Sequence, residues 1–585
     1  MLEKGFTTAE KTADNIDAYN SGMLSSMIFD YACGTKYMVH HGLYCKTLKN
    51  LGTERHRQQL LDGCACKTLG AYCLTEIGHG SNVRGMELTA TYDNETKEFV
   101  FKSPTNTSLK FWIGNLAKTA HNAVVFAQLL LNEDGKIVNK GVHAFVLEIR
   151  DRSNHVPLPG IMIGDCGDKL GLHGVDNGWI KFDDFRAPRE TLLNKFGDVS
   201  EDGKYTSSIK SPGKRFANSI ASLSSGRVLI SRISHEHALN AVSIALRYAS
   251  VRRQFGPSGR ETLLLDYPLH QFRLIPRFAN HLINFVASNK LFDIWNENLP
   301  KLLEEGNNVT ALCHALSSSM KSYAGWTSQD TIAECRRACG GHGYSYYSNF
   351  ATLISFNDLH ATWEGDASVL LQQTQKFILS NLKAAAKGGK LPMTLEFLTL
   401  NQATAPTYTG EFDDVKALQK LFQQRASYLT LKAAKALSVD PKKFDLVFAE
   451  LQPFELRDMC LAYHETYGID TFIGFLDNFT DAKTKKVFEK LLLVHMQYRI
   501  LMSPAFFTQA VGSERFETVR PSVGALCKDL RKEMIQLTDV LPFPNTAMGA
   551  LGNEDLQVYD RYIQHIMTAP KVTERPSWWK MLYQH

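Results

Sequence analysis

The sequence has no uninterrupted apolar run of about 18 or more residues, the length that a membrane-spanning helix needs. This absence excludes a transmembrane helix. The N-terminus also lacks the charged-then-apolar pattern of a secretory signal. The C-terminal residues 581–585 do not resemble the Ser-Lys-Leu peroxisomal address. We therefore expect a protein without a membrane span, and no address for an organelle is visible in the sequence.

A disulfide framework and a nucleic-acid partner are also not indicated. The eleven cysteines are odd in number and scattered, which favours a reducing compartment. Cys64, Cys66 and Cys73 do not have the spacing of a zinc site, and no second pair of ligands follows them, so no metal is expected. The net charge of +5 is spread along the chain without a long basic run, which argues against nucleic-acid binding.

Changes in the sequence pattern divide the 585 residues into four predicted domains. Residues 1–74 have apolar positions at helical spacing and predict a partial N-terminal helical domain. Residues 75–196 carry alternating or β-branched runs between turn clusters, which predict a compact antiparallel β-barrel or sandwich. Residues 205–387 predict a helical bundle, and residues 400–585 predict a second, C-terminal helical domain after a Gly-Gly-Lys-Leu-Pro break. The predicted fold class is α+β and multidomain.

Individual elements follow from the same periodicities. Strands are predicted at residues 87–92, 98–102, 123–131, 142–149 and 179–185. Long helices are predicted at residues 219–250, 266–296, 307–338 and 364–386.

Two glycine-containing segments of the predicted β-domain have features of a flavin site. Residues 72–82 contain two close glycines, and the hydroxyls of Thr75 and Ser81 lie beside amides that can bind a flavin ring or a phosphate. Residues 110–115 place Trp112 beside Gly114, and an indole next to permissive backbone suits a planar isoalloxazine. Taken alone, the first segment is typical of a plain turn, and the second of a core tryptophan before a turn glycine.

A third segment combines glycines with a carboxylate. The glycines of residues 338–344 are predicted to end a helix and let the backbone pass close to a ligand. Glu364 and Gly365 are predicted to open the next helix. A carboxylate at a helix start is usually a solvated capping group, so Glu364 by itself is open to two interpretations, a cap or a catalytic base.

Taken together and in this order, the segments resemble the acyl-CoA oxidase family, a branch of the acyl-CoA dehydrogenase superfamily. The similarity extends from about residue 70 to about residue 380, and more weakly through the C-terminal domain. The strings that carry it are Thr-Glu-Ile-Gly-His-Gly-Ser-Asn-Val-Arg-Gly at 75–85, Arg-Arg-Gln-Phe-Gly at 252–256, Gly-Gly-His-Gly-Tyr at 340–344 and Trp-Glu-Gly-Asp at 363–366. Residues 171–178 look more like the branched-chain or pristanoyl-type oxidases.

The resemblance implies FAD as cofactor, a fatty acyl-CoA as substrate and Glu364 as the base that removes the α-proton. Arg227 and Trp363 would contact the substrate, although Arg227 is also compatible with a surface arginine packed along a helix. In such enzymes the stretch from Arg252 to Gly256 reaches the FAD of a neighbouring subunit, so a homodimer or a hetero-oligomer with related oxidase subunits is implied. The implied FAD contacts are Thr75, Ser81, Trp112, Gly114, Arg252, Gln254, Phe255, Gly340, Gly341, Gly343, Gly365 and Asp366.

The implied reaction gives a trans-2-enoyl-CoA and passes the electrons to molecular oxygen, which forms hydrogen peroxide. This is the first step of peroxisomal fatty acid β-oxidation, so the family implies a peroxisomal protein; the cytosol is the alternative. Dehydrogenases of the superfamily commonly carry threonine where this chain has Gly114. We hypothesise that the missing side chain leaves open space at the flavin edge, which oxygen uses.

Departures from the family pattern leave two alternatives. The N-terminal helical segment is shorter than is usual in acyl-CoA oxidases, and Trp363 replaces the usual tyrosine before the glutamate. One alternative is therefore a truncated or low-activity paralogue that binds acyl-CoA or an active partner subunit. The other is an acyl-CoA dehydrogenase, against which Gly114 and the long C-terminal domain count.

Overall fold

A computed structural model describes residues 8–15, 27, 30–220, 223–298 and 308–583. Parts of the predicted elements lie outside the described residues: 1–7, 16–26 and 28–29 of the N-terminal domain, 221–222 and 307 of two helices, and 584–585 at the C-terminal end. Backbone contacts divide the chain into two compact units. The first draws on Met1–Arg227, Ile294–Thr310 and Trp363–Val369, and the second on Val228–Asp293, Ala311–Thr362 and Leu370–His585.

The N-terminal part of the first unit is built from short helices, as predicted. Asp30 begins one of them by accepting a hydrogen bond from the backbone N–H of Cys33 at 2.8 Å. A π-helical segment, Met38–Cys45, continues directly into the next helix. The helices are α1 Ala9–Asp14, α2 Tyr31–Tyr37, α3 Lys46–Leu51 and α4 Arg57–Cys64.

Two sheets form the β-domain of the first unit. The larger has the order β1-β5-β2-β3-β9, with β6 paired to β5, and the smaller has the order β4-β8-β7. The strands are β1 Gly70–Cys73, β2 Thr89–Asp93, β3 Glu98–Lys102, β4 Lys110–Ile113, β5 Asn122–Glu133, β6 Lys136–Glu148, β7 Ile161–Asp165, β8 Gly178–Phe182 and β9 Phe185–Pro188.

The prediction of a purely antiparallel domain is wrong. Strand β5 runs parallel to both β1 and β2, and antiparallel only to β6. Parallel neighbours need long connections rather than hairpins, and here the residues between β1 and β5 supply them. An alternating pattern indicates which face of a strand is buried. It contains no information about the direction in which neighbouring strands run.

The two sheets enclose one hydrophobic core, which agrees with the predicted sandwich. Alternate residues of β2 and β3 point inward, so that Phe99 and Phe101 are fully buried. The ring of Phe101 lies 5.1 Å from that of Phe145 on the larger sheet and 5.7 Å from that of Phe182 on the smaller one. Aromatic contacts of this kind join the faces of two sheets in a sandwich.

Helices make up most of the described residues that follow the β-domain, and the four long ones lie within a few residues of their predicted bounds. Short antiparallel strand pairs interrupt them: β10 Asp198–Val199 with β11 Tyr205–Thr206, and β12 Arg253–Gln254 with β13 Thr262–Leu263. The helices are α5 Pro212–Ser219, α6 Leu223–Ala249, α7 Pro268–Asn298, α8 Asn308–Ala338, α9 Phe350–Asn357, α10 Ala367–Ala385, α11 Val415–Leu437, α12 Phe444–Glu450, α13 Arg457–Leu476, α14 Ala482–Met502, α15 Pro504–Val511, α16 Ser513–Leu530, α17 Met534–Asp539 and α18 Val558–Met567.

A buried ionic triad joins three of the C-terminal helices. Glu465 of α13 is paired with Arg425 of α11 and with Arg499 of α14, whose Nη2 lies 2.6 Å from a carboxylate oxygen. Burial by itself would raise the pKa of Glu465, but the two guanidinium groups outweigh it and hold this pKa at about 2. The carboxylate is therefore ionised inside the domain.

In the described part of the chain, no helix is long and apolar enough to cross a membrane.

Candidate active site

Glu364 lies in a strained turn before helix α10, and the prediction that Glu364 and Gly365 open this helix is wrong. The helix begins at Ala367. Asp366 caps it, because its Oδ1 accepts hydrogen bonds from the N–H groups of Ser368 at 2.9 Å and Val369 at 3.1 Å. Glu364 has a φ of +53°, a left-handed conformation that is unfavourable for a residue with a side chain. A backbone strained in this way needs support from its surroundings.

The first turn of helix α6 provides that support. The Nε of Arg227 donates a hydrogen bond to the main-chain oxygen of Glu364 at 3.0 Å. Arg227 is buried, and burial lowers its pKa while the charge of Glu364 opposes this effect. The carboxylate of Glu364 lies against Gly226, where a Cβ would be only 2.6 Å from its Cδ. Gly226 is thus the residue that leaves room for the carboxylate, and the sequence analysis gave it no role.

Tyr72 of β1 lies near the same glutamate. Its side chain is buried, and the pKa of its hydroxyl is raised by this burial and, to a smaller extent, by the charge of Glu364. The hydroxyl makes no hydrogen bond to any part of the chain that the structure describes. A buried polar group without a partner is costly to folding, so the hydroxyl is suited to a ligand. In the sequence, Tyr72 is only the first residue of the segment 72–82, and no pattern marks it as functional.

The two glycine-containing segments lie side by side. Thr75 donates its hydroxyl to the main-chain oxygen of Phe111 at 2.8 Å, and Phe111 N–H donates to Thr75 at 3.1 Å. Beneath them, the fully buried Lys110 and Glu76 form an ion pair at 3.1 Å. Burial lowers the pKa of Lys110, and Glu76 opposes this shift. Because the pair is also saturated with main-chain hydrogen bonds, it fixes the position of both segments.

Trp112 and Ser81 of these segments are exposed to solvent. Gly114, in contrast, does not have the open space beside it that was hypothesised. Trp112 is 57% exposed and itself has a positive φ of +63°. Ser81 lies in the exposed loop after β1. A Cβ at Gly114 would lie 2.9 Å from Cγ2 of Val39, a residue of the π-helical segment. The idea of a space for oxygen beside Gly114 therefore needs correction, because Val39 already fills the direction of the missing side chain.

The second unit contains a cavity of about 440 Å³ that brings several predicted residues together. Arg252 and Gln254 line it together with Gly340 and Gly341, and a Cβ at either glycine would meet no atom within 4 Å. Gly340 also needs its positive φ of +59° to end helix α8. The lining includes three arginines and no acidic residue. Because Arg273 and Arg337 form ion pairs with Glu334, Arg252 and the glycine backbone supply the donors and the space for the diphosphate of a dinucleotide.

Gly343, Phe255 and Trp363 have other surroundings. A Cβ at Gly343 would collide with the main-chain oxygen of Arg336, so close packing onto α8 explains the absence of a side chain there. Phe255 is 83% exposed, with a positive φ. Trp363 is half-buried directly before Glu364.

Among the described residues, His40, His41 and Cys45 are close enough to share a metal ion. They do not fit one well. His40 Nε2 lies 2.9 Å from the main-chain oxygen of Gly63, and its Nδ1 accepts from the N–H of Gly70 at 3.0 Å. Both ring nitrogens of His40 are thus engaged with backbone groups.

Two family models and several known proteins match this chain. Residues 221–379 match the family described as acyl-CoA oxidase, C-alpha1 domain, and residues 414–585 match the family described as acyl-CoA oxidase. The chain is 40% identical to acyl-coenzyme A oxidase 2, peroxisomal, of Arabidopsis thaliana, over 96% of this chain and 84% of that protein. It is 32% identical to peroxisomal acyl-coenzyme A oxidase 3 of Homo sapiens, over 94% of this chain and 82% of that protein.

Solved structures give the same result. Acyl-CoA oxidase 1 of Arabidopsis thaliana superposes with a TM-score of 0.88 and 28% identity, over 94% of this chain and 84% of that one. Acyl-CoA oxidase-2 of Caenorhabditis elegans, a structure bound with FAD, ascaroside-CoA and ATP, superposes with a TM-score of 0.86 and 26% identity, over 94% and 82%.

The fold and the matches define an α+β oxidoreductase that acts on CH–CH groups. The chain belongs to the acyl-CoA oxidase family. This membership confirms the resemblance and the fold class, favours the oxidase over the dehydrogenase, and confirms FAD as the cofactor of the family. The roles of individual site residues and the four domain boundaries stay predictions.

Proposed function

We propose that this protein oxidises a fatty acyl-CoA to a trans-2-enoyl-CoA, with Glu364 as the base and with hydrogen peroxide formed from molecular oxygen. The observation that carries the proposal is the arrangement around Glu364. Its backbone is held in a left-handed turn by Arg227, its carboxylate lies against Gly226, and the unbonded hydroxyl of Tyr72 is nearby. Strain of this kind is typical of functional sites.

The residues act on the α-proton of the thioester. A thioester α-proton is weakly acidic, so a carboxylate removes it only where hydrogen-bond donors stabilise the negative charge on the thioester oxygen. Arg227 binds the main-chain oxygen of Glu364 and so supports the left-handed conformation of this residue. We assign the backbone N–H of Glu364 as one such donor. Arg227 is thus a positioning residue for the base. We retain Trp363 as a wall of the acyl pocket because it directly precedes Glu364.

FAD, when bound, supplies the acceptor for the hydride that leaves the β-carbon. In the first unit, we assign Thr75, Ser81, Trp112 and Gly114 to the flavin, since the first two segments are held side by side and the indole is exposed. In the second unit, we assign the dinucleotide to Arg252, Gln254, Phe255, Gly340 and Gly341. Close packing onto α8 explains the glycine at 343, and helix capping explains the aspartate at 366. Gly365 has the positive φ of +113° that the turn requires.

We place the protein in the peroxisome and in an oligomer. The relatives from Arabidopsis thaliana and Homo sapiens are named as peroxisomal proteins. An exposed Phe255 next to the cavity agrees with a stretch at 252–256 that reaches the FAD of a neighbouring subunit. That subunit would be a second copy of this chain or a related oxidase.

The test measures flavin and peroxide separately. The purified protein is expected to show a flavin absorbance band that an acyl-CoA bleaches under argon, and to release peroxide in air. Glu364→Gln should retain the flavin and lose at least about a hundredfold in rate, the usual contribution of a general base. Asp358→Asn, at an exposed carboxylate six residues earlier, is the matched control and should keep the rate.

Other outcomes favour the alternatives. Bleaching without peroxide release in air, together with turnover on an artificial electron acceptor, would indicate a dehydrogenase. Retained flavin without bleaching by any straight or branched acyl-CoA would indicate a low-activity subunit. A loss of less than about a hundredfold in Glu364→Gln would contradict its assignment as the base.

A further inference from the structure

Trp112 lies at a bulge of strand β4, and its backbone is strained. Between Lys110 and Ile113, β4 contains one residue more than the facing stretch of β8. Trp112 has a φ of +63°, the left-handed conformation that glycine takes in one common class of bulge. A residue with a large side chain is unfavourable in this conformation, so neighbouring groups must hold it there.

The side chain of Asn177, the residue directly before β8, binds the backbone of Trp112. Its Nδ2 donates a hydrogen bond to the main-chain oxygen of Trp112 at 3.3 Å. On the other side of the amide, Nζ of Lys169 donates to Oδ1 of Asn177 at 2.8 Å. Because an ammonium group can only donate, the amide oxygen faces Lys169 and the amide nitrogen faces Trp112. Lys169 thus fixes the orientation of the Asn177 amide.

Lys169 also shapes the loop 169–177 that carries Asn177. Its Nζ donates to the main-chain oxygens of Leu172 at 2.8 Å and Val175 at 2.6 Å. Together with the bond to Asn177, these bonds use all three N–H donors of the ammonium group within one loop. The same lysine therefore sets both the shape of the loop and the orientation of the amide that holds Trp112.

The loop is in turn bound to neighbouring elements of the first unit. Asp176 accepts a hydrogen bond from the N–H of Thr119, after β4, at 2.9 Å, and it forms an ion pair with Lys36 of α2. A Cβ at Gly174 would lie 2.8 Å from the Cβ of Ala32, which is also in α2. The loop is thus packed against α2, which fixes the point from which it reaches β4.

We propose that Lys169 and Asn177 are positioning residues that hold the indole of Trp112 for the isoalloxazine of FAD. This inference rests on the proposed function, which assigns Trp112 to the flavin. Trp112 is 57% exposed, so a planar ring can pack against its indole. The direction of the indole follows from the backbone of Trp112, and Asn177 binds that backbone. Lys169 and Asn177 act through Trp112 and need no contact with the flavin.

Two variants remove the support in different ways. Lys169→Met keeps an unbranched side chain of similar length but has no N–H donors. Asn177→Asp keeps an acceptor for Lys169 and places an oxygen, instead of a donor, opposite the main-chain oxygen of Trp112. If Lys169→Met does not fold, Asn177→Asp alone decides, because it leaves the other bonds of Lys169 in place.

The measurement is a titration of the flavin-free, full-length protein with FAD, followed by the visible circular dichroism of the bound flavin. Each variant is expected to bind FAD at least about threefold more weakly, the usual effect of one hydrogen bond, and to change the circular dichroism. Lys102→Met is the matched control, since Lys102 pairs with the exposed Asp184 of the same β-domain. It should bind FAD like the wild type.

A double-mutant cycle distinguishes positioning from a general effect on the fold. Trp112→Ala alone should bind FAD at least about fivefold more weakly, comparable to the loss of a base that stacks on an aromatic side chain. In the Trp112→Ala background, Lys169→Met and Asn177→Asp should change the FAD affinity by less than about twofold, because the residue through which they act is gone. A purely structural role would give the same loss in both backgrounds.

Three results would overturn the inference. The first is wild-type FAD affinity and circular dichroism in Asn177→Asp, and the second is an equal loss of affinity with and without the indole. The third is wild-type FAD affinity in Trp112→Ala. If the flavin responds as expected but an acyl-CoA neither bleaches it nor yields peroxide, the proposed function fails and the positioning of Trp112 stands.

Discussion

Replacing Gly226 with alanine tests the position of the carboxylate that we propose as the base, without removing it. The added Cβ would overlap Oε2 of Glu364 and would lie 2.6 Å from both Cδ and Oε1, whereas an ordinary contact is 3.4 Å or more. The carboxylate must therefore move by about 0.8 Å or more, which it can do because it is the end of a flexible side chain. A displacement of about 1 Å costs roughly a hundredfold in rate, equivalent to about 2.7 kcal/mol of barrier.

Stability should respond in the opposite direction. Gly226 lies in helix α6, and glycine in a helix is less favourable than alanine by up to about 1 kcal/mol. Gly226→Ala should thus keep or raise the melting temperature and retain flavin, while peroxide release with an acyl-CoA falls. Gly524→Ala is the matched control, since Gly524 lies within α16 and a Cβ there meets no atom within 4 Å. Turnover of Gly226→Ala within twofold of the wild type would refute the position that we assign to the carboxylate.

Three further predictions concern other parts of the molecule. Gly341→Ala should fold normally and bind FAD more weakly in a flavin-release titration. Gly343→Ala should lower the melting temperature, because only this variant places a methyl group against the backbone. Equal stability of the two variants would contradict this contrast. Tyr72→Phe should slow turnover without destabilising the protein, since the Tyr72 hydroxyl has no bonded partner among the described residues. A decrease of about 1 kcal/mol or more in the free energy of urea unfolding would show that the hydroxyl is bonded within the protein. Glu465→Gln should cost about 3–5 kcal/mol by leaving two buried arginines without a counter-charge. The pKa of Glu465 is about 2 in the folded protein and about 4.3 in the unfolded chain, so the stability that Glu465 contributes is present above pH about 4.3 and is lost towards pH 2. If Glu465→Gln unfolded in acid with the same pH dependence as the wild type, this contribution of Glu465 would be contradicted.

Local structure and family membership could be predicted from the order of the residues alone. Apolar periodicity located strands such as Glu98–Lys102 and helices such as Pro268–Asn298, because burial of one face depends on residues a few positions apart. The strings around Thr75, Arg252 and Glu364 were sufficient for the resemblance to the acyl-CoA oxidases. The resemblance in turn implied FAD as the cofactor.

The contacts between residues distant in the chain could not be predicted and are visible in the folded protein. The left-handed turn of Glu364, the room that Gly226 leaves for it and the filling of Gly114 by Val39 all join residues that lie far apart in the chain. The parallel direction of β5 is another such feature. A local pattern shows that a side chain is buried or that a glycine is present. Which neighbour occupies the adjacent space depends on the packing of whole elements, and that packing is set by the sum of many weak contacts.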